Sequence, residues 1–460
     1  MKHLDHQSQP AKRKILNSWK EISKYLGLEV RTAQRWEKEL GLPIFRIKKF
    51  SKTYVYAYSD ELDKWMAKSL KRKTNPNRKK LKKHKLLMAA FLPTLATLTI
   101  IFFLLFLPGL KNPRLSSFKI DGSRLLIFNN HGKKLWSYDF NLPLNPKEYK
   151  NLPQKQVFHS NEKVNILFAD IDKDKQPDVI FAAQTKDNSR EAVFCFNSQG
   201  KLQWSYPAGK ELKRGPYKYS ADYDLGFLRL VDLNNDGYLE TVITANHKIF
   251  FPGWMAVLDH HGILQGEYWN TGHLLCLEFK DFDNDGLKEI MIGGLNNNYN
   301  KACFLILDPR KINGSSPHIK NSLYDCDEFL PANEKYYVLI PQDQVGKKLN
   351  NMYEVIYSID LLESGKFLIR TTFSQVLYEF DYKLRPTYLH LSDDFISRFN
   401  KLKKEGKINI PLTSFPKNKL LSEILYWDGT EWTKTPTMTK FWKDYKAMSS
   451  GQANLFICNK

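Results

Sequence analysis

Residues 228–244 read LRLVDLNNDGYLETVIT, an apolar strand that enters a tight acidic turn and leaves it as a second apolar strand. Two further stretches share the pattern, 165–181 (NILFADIDKDKQPDVIF) and 277–293 (LEFKDFDNDGLKEIMIG). Each places D-x-[DN]-x-D after the first strand, then three residues, then Asp or Glu at the head of the second strand. Short apolar runs broken by Gly, Asn and Asp are strand and turn signals. Three copies in one chain indicate repetition.

The aligned side chains are Asp170, Asp172, Asp174 and Asp178; Asp232, Asn234, Asp236 and Glu240; Asp281, Asp283, Asp285 and Glu289. Oxygens at the first, third and fifth positions converge inside such a loop. The seventh residue offers a carbonyl and the ninth closes the shell, a hard-oxygen set suited to structural Ca²⁺ at up to three sites. Gly237 and Gly286 hold the sixth position, which needs a residue tolerant of positive φ; Lys175 stands there in the first loop, so 170–178 fits least well. The competing reading is a solvated acidic turn.

A second motif travels with the first. Residues 128–138 (FNNHGKKLWSY) and 196–206 (FNSQGKLQWSY) are near copies, with a fainter version at 258–268 (LDHHGILQGEY). Each is a β-hairpin: apolar strand, Gly turn, strand ending in an aromatic. Together the two motifs resemble the FG-GAP/VCBS repeats of integrin-type β-propellers over 128–307. By that resemblance 115–460 is an all-β propeller of six or seven blades, with an irregular insert at 309–350 and a short helix near 394–404. Cys195, Cys276 and Cys303 lie in apolar strands and read as buried thiols, while Cys326 and Cys458 are left open as a pair. His260 and His261 fall at a hairpin turn. The chain contains no nucleophile elbow, phosphate loop or paired zinc ligands, so an enzyme is not expected.

Charge divides the chain. Of 460 residues with net charge +21, the first 85 carry 24 Lys and Arg against 8 Asp and Glu, and the rest carry 46 against 41. A basic head on a near-neutral body points to an anionic partner at the N-terminus. Between them, 86–107 (LLMAAFLPTLATLTIIFFLLFL) is uncharged over 22 residues, long enough for a transmembrane helix. Ten Lys and Arg lie between Lys68 and Lys85, so positive-inside bias keeps the N-terminus cytoplasmic. The expected location is the cytoplasmic membrane, single-pass, with the C-terminal part outside and lipid as a neighbour.

The head predicts helices. Ser18 and Glu21 form a capping box; Trp19, Ile22 and Leu26 share a face; Gly27 ends the helix. A second helix follows from 31 to 40. Ala33, Trp36 and Leu40 make its apolar stripe, opposite Arg31, Gln34, Arg35 and Lys38. Strands at 44–50 and 53–58 meet at a basic tip with Lys48, Lys49 and Lys52, and a third helix starts at Ser59. SWKEISKYLGLEVRTAQRWEKELGLP followed by YVYAYSDELDKWM resembles the winged helix-turn-helix of the MerR/excisionase-like group over 17–67. That resemblance implies base reading by Arg31, Thr32, Gln34 and Arg35, with Lys38, Lys48, Lys49 and Lys52 on phosphates of double-stranded DNA. Glu29 replaces the usual Ser or Thr cap, and the tip lacks glycines.

The expected fold class is multidomain: a small α+β winged helix-turn-helix, one transmembrane helix and an all-β propeller. The expected layout is a disordered arm 1–16, the DNA-binding unit 17–70, a basic linker 71–85, the span 86–107 and the outer propeller 115–460. This describes a membrane-tethered one-component transcriptional regulator whose expected partners are a second copy of the chain and an outer ligand, glycan or protein. The alternative is a surface adhesion or protein-binding propeller whose head binds protein or only anchors it.

Overall fold

A computed structural model describes residues 14–49, 52–70, 115–149, 158–185 and 191–449. Two compact units divide it, 1–107 and 108–460. Residues 1–13 of the expected arm, the hairpin tip 50–51, the linker 71–85, the expected span 86–107 and Cys458 lie outside the described residues.

In the first unit, strand β1 (Ile15–Leu16) pairs with β3 (Lys52–Tyr58), which pairs with β2 (Phe45–Lys49). Helix α1 (Trp19–Leu26) starts where Ser18 Oγ accepts the Glu21 N–H at 3.2 Å, and Glu21 reaches back to the Asn17 N–H at 3.0 Å. Gly27 closes it at φ 66°. Helix α2 (Val30–Leu40) starts at Glu29 without a side-chain cap, and α3 (Ser59–Leu70) follows the hairpin. Leu16, Ile22, Ala33, Leu42, Ala57 and Leu62 form the core. Leu40, expected on the apolar stripe, is 57% exposed; Leu42, one residue beyond the αL Gly41, fills the core instead.

The second unit is a succession of antiparallel sheets in chain order. The first holds β4 (Leu115–Asp121), β5 (Arg124–Asn129) and β6 (Lys134–Asp139). The second holds β7 (Ile166–Ala169), β8 (Asp178–Gln184), β9 (Glu191–Phe196) and β10 (Leu202–Pro207). After a small hairpin, β11 (Leu212–Arg214) and β12 (Tyr217–Tyr219), the third holds β13 (Tyr223–Val231), β14 (Glu240–His247), β15 (Gly253–Leu258) and β16 (Leu264–Asn270). The fourth holds β17 (Leu274–Lys280), β18 (Glu289–Asn296), β19 (Lys301–Leu307) and β20 (Glu334–Ile340). The fifth holds β21 (Ile356–Leu362), β22 (Lys366–Thr371), β23 (Val376–Asp381) and β24 (Pro386–Leu391). The last strands, β25 (Leu425–Trp427) and β26 (Trp432–Thr433), extend the fourth sheet beyond β20.

Each pair of successive sheets shares one apolar core. Leu125 and Ile127 meet Val179 and Phe181; Ile180 and Cys195 meet Leu225 and Ile243. Val242 and Met255 meet Ile290 and Cys303; Met291 and Phe304 meet Ile359 and Phe367. The two-residue period of a strand therefore sends Val179 and Ile180, or Val242 and Ile243, into different cores. This is why β8 and β18 are buried along their whole length and read as continuous apolar runs. The sheets converge on the segment before β7: Ser160 O accepts the Leu277 N–H at 2.7 Å, and its hydroxyl accepts the Ile359 N–H at 2.8 Å. Arg229, 7% exposed, donates to the carbonyls of His159 and Glu162 there. Burial lowers its pKa to about 10.

The hairpin repeat staples neighbouring sheets. Trp136 lies against Gly200 and donates to Ser198 O at 3.1 Å; Trp204 lies against Gly262 and donates to His260 O at 3.0 Å. A Cβ at either glycine would sit 2.5 Å from the indole. The third copy has Gly266 in the Trp place because Ile312, from the segment after β19, packs there. Among the described residues, all four thiols, Cys195, Cys276, Cys303 and Cys326, are buried and free.

The expected fold class is overturned. The described residues are mostly β, and no helix among them is long and apolar enough to cross a membrane. The first unit is a three-stranded sheet and three helices around one small core. Among the described residues the second unit holds five sheets of three or more strands and the two-stranded β11–β12 sheet, where six or seven blades were expected. Uniform division by repeat length overcounted because 308–333 adds no strand, 393–422 is largely helical, and the 425–433 hairpin joins an existing sheet.

Candidate functional site

The three acidic turns join β7 to β8, β13 to β14 and β17 to β18, all at one end of their sheets. Their inner geometry is shared. The ninth residue accepts the N–H of the second: Asp178 from Ile171 at 3.1 Å, Glu240 from Leu233 at 2.8 Å, Glu289 from Phe282 at 2.7 Å. The first Asp accepts the N–H of the sixth residue: Asp170 from Lys175, Asp232 from Gly237, Asp281 from Gly286, at 3.0, 2.9 and 3.0 Å. The sixth residues are left-handed in all three, and Lys175 takes the conformation at φ 67° beside 81° and 90° for the two glycines. Leu239 donates to Ile171 O at 3.2 Å and Lys288 to Leu233 O at 3.1 Å, so each turn is tied to the next.

The turns differ in how charge is met. In the first two, the other oxygen of the leading carboxylate, Asp170 Oδ1 or Asp232 Oδ1, is buried with no hydrogen-bond partner. Burial, reinforced by Asp172, Asp174 and Asp170, pushes Asp178 up to about 7. Asp170, Asp172 and Asp178 converge closely enough to hold one metal ion, and so do Asp281, Asp283 and Asp285. Asn234 and Asp236 sit exposed at the second turn, where Asn234 Nδ2 donates to Asp236 at 2.9 Å.

In the third turn Asp281 uses both oxygens on N–H groups, from Asp285 at 3.1 Å and Gly286. Lys335, 1% exposed on β20, places its ammonium against Glu289, Asp283 (3.0 Å) and Asp308 (3.1 Å). Arg310 pairs with Asp285 at 2.8 Å, and Lys446 with Asp283 at 2.6 Å. Burial works against the charge of Asp283, yet Lys446 and Lys335 hold its carboxyl below the usual range. The lysine lies 46 residues from Glu289, so no local motif announces it.

At the opposite end of the sheets a groove of about 530 Å³ opens, which the sequence does not signal. Ile249, Phe250 and Phe251 come from the β14–β15 turn, Tyr324 from the segment after β19, and Tyr353 and Phe373 from the fifth sheet's approaches. Ile249 is 77% exposed and Phe250 44%. His273 is held beside them by Phe250 O at 3.2 Å. His261 is exposed, while His260 stacks on Tyr238 at 4.2 Å.

On the first unit, Arg31, Arg35 and Lys38 are exposed along α2, with Thr32 and Gln34 half-buried. Glu37 is turned away into a bidentate pair with Arg46, and Arg35 lies 3.9 Å from Glu39. Lys48 pairs in register with Thr53, and Lys49 with Lys52, across the hairpin.

No family model matches the chain, and no curated protein matches it. Solved structures similar to it include the C-terminal domain of Pseudomonas aeruginosa PilY1, at 11% identity and TM-score 0.34, covering 62% of this chain and 60% of that one. The Dos1 propeller is similar at 8% identity and TM-score 0.29, covering 59% and 65%. A protein of unknown function from Bacteroides caccae is similar at 11% identity and TM-score 0.24, covering 61% and 95%. The chain thus spans less than two thirds of the length of the first two.

Proposed function

We propose that the 108–460 unit is a non-enzymatic binding module whose partner is a protein and whose working surface is the aromatic groove. One observation carries this reading: Ile249 and Phe250 stand exposed over a cavity lined by Phe251, Tyr324, Tyr353 and Phe373. Large apolar side chains gathered at one concave place mark interaction surfaces, and aromatics dominate binding energy there. In crosslinking of the full chain in its native cells, Phe250→Ser is expected to lose the partners that wild type captures, while Leu264→Ser on the opposite hairpin keeps them. Equal capture by both variants removes the groove from the reading.

Ca²⁺ is proposed as the structural ion of this module. The orphaned Asp170 Oδ1 and Asp232 Oδ1 fit it, since a buried carboxylate oxygen without a partner is costly unless an ion takes it. Asp170, Asp172, Asp174 and Asp178 would hold one ion, and Asp232, Asn234, Asp236 and Glu240 another. Bound there, Ca²⁺ would pin turns already linked by Leu239 and Lys288.

A second reading rests on α2, whose Arg31, Arg35 and Lys38 are exposed while its Glu37 is neutralised by Arg46. Such a face offers cations and forks to duplex DNA, which would make the chain a one-component regulator. A mobility shift with the full chain at low salt is the test: weaker binding by Arg35→Ala supports it, and indifference to that change or to salt sinks it. Location is a proposal of its own: the uncharged run 86–107 beside its basic flank keeps the chain at a membrane, head inward. Release by alkaline carbonate would contradict that.

A further inference from the structure

We propose that the third acidic turn is filled from within: the Lys335 ammonium occupies the place that a divalent cation takes in the other two. The inference rests on the calcium reading for the first two turns, and its tests separate the two.

The turn at Asp281 keeps the metal-binding pattern. Its sixth residue is a left-handed glycine, its ninth residue caps the second N–H, and its three aspartates converge. What differs is the occupant. A lysine 1% exposed is rare, because an ammonium stripped of water must be repaid by opposite charge. Here Glu289 and Asp308, both fully buried, and Asp283 supply it. Asp308, just after β19, has no counterpart named in the acidic motif. It adds the carboxylate that a single positive charge with three donors can bind along with Glu289 and Asp283. Arg310 on Asp285 and Lys446 on Asp283 complete the neutralisation.

The leading carboxylates show the consequence. Asp170 and Asp232 each keep a buried oxygen without a partner, whereas Asp281 spends both on backbone N–H groups. A turn with its charge met by lysine no longer needs an open ligand. It also ties β20 and the helix Lys440–Ser449 to the turn, through Lys335 and Lys446, with no dependence on calcium supply.

Terbium reports the difference, because it takes calcium's oxygen ligands and Trp442, whose ring centroid lies 5.8 Å from Lys335 Nζ, would sensitise an ion in this turn. The full chain carrying Asp170→Asn and Asp232→Asn is expected to show no sensitised emission that Asp281→Asn removes. Adding Lys335→Met should create such emission, with roughly one further ion per chain. Emission in the double variant that Asp281→Asn abolishes would overturn the proposal, as would no gain on Lys335→Met. Should Lys335→Met not fold, equilibrium dialysis of the unaltered chain decides. A Ca²⁺ count that Asp170→Asn and Asp232→Asn lower and Asp281→Asn leaves unchanged supports the proposal, and a count that Asp281→Asn lowers overturns it. If the unaltered chain binds no Ca²⁺, the calcium reading fails, and folded Lys335→Gln then judges the lysine: a gained ion supports it and none overturns it.

Discussion

The turns at Asp232 and Asp281 share almost every backbone feature, yet one keeps a buried unpartnered oxygen and the other is crowded with cations. The lesson is that a metal-binding pattern fixes a backbone shape, while the occupant is chosen by residues far along the chain. Lys335, Arg310 and Lys446 come from a strand, the segment after β19 and a C-terminal helix. Nothing near Asp281 reveals them.

The comparison breaks most visibly at the lysine. Lys335→Met leaves Glu289 buried without its ammonium, while Asp308 keeps Arg310 at 2.7 Å, and losing one partner of a buried pair costs about 3–5 kcal/mol. Denaturant unfolding in chelator should register that loss, and added Ca²⁺ should recover part of it. A loss under about 1 kcal/mol, the scale of an exposed pair, would mean that the lysine is not the occupant.

Next in size is a pH effect beside it. Burial raises Glu334, hydrogen-bonded to Tyr268 at 2.8 Å, to about 7. A carboxyl with its folded pKa above its unfolded one is most favourable to folding below the unfolded value of 4.5. That contribution is lost as pH rises through about 7. Glu334→Gln should therefore flatten the fall in stability between these pH values, measured by urea unfolding. An unchanged slope would assign the titration elsewhere.

The smallest effect sharpens the link between the first two turns. Lys173 donates to Asp236 O and lies 3.9 Å over the Tyr238 ring. Lys173→Ala should cost under about 1 kcal/mol, as exposed cation–π contacts do, and should leave Ca²⁺ stoichiometry intact.

What could be read from the sequence follows the same division between local and distant. The acidic turns, the capping box at Ser18 and the hairpin copies were legible because each is written within a dozen residues. The Trp136 and Trp204 repeats also carried their own explanation, since each meets a glycine of the next copy. Blade number was not legible, because the segment after β19 and the helices beyond β24 interrupt the period. Leu40 was assigned to the core by helical spacing, and the chain's turn at Gly41 gave that place to Leu42. The groove gathers Phe250, Tyr324, Tyr353 and Phe373 from distant segments, which no periodicity could assemble.

The most direct measurement is thermal unfolding of the full chain with Ca²⁺ and with chelator, for wild type, Asp170→Asn/Asp232→Asn and Asp281→Asn. Chelator is expected to lower the melting temperature of wild type and of Asp281→Asn, and to leave the double variant unmoved, since a ligand of the native state must stabilise it. A wild-type melting temperature indifferent to chelator, or a calcium response lost in Asp281→Asn alone, would contradict the division between ion-held and lysine-held turns.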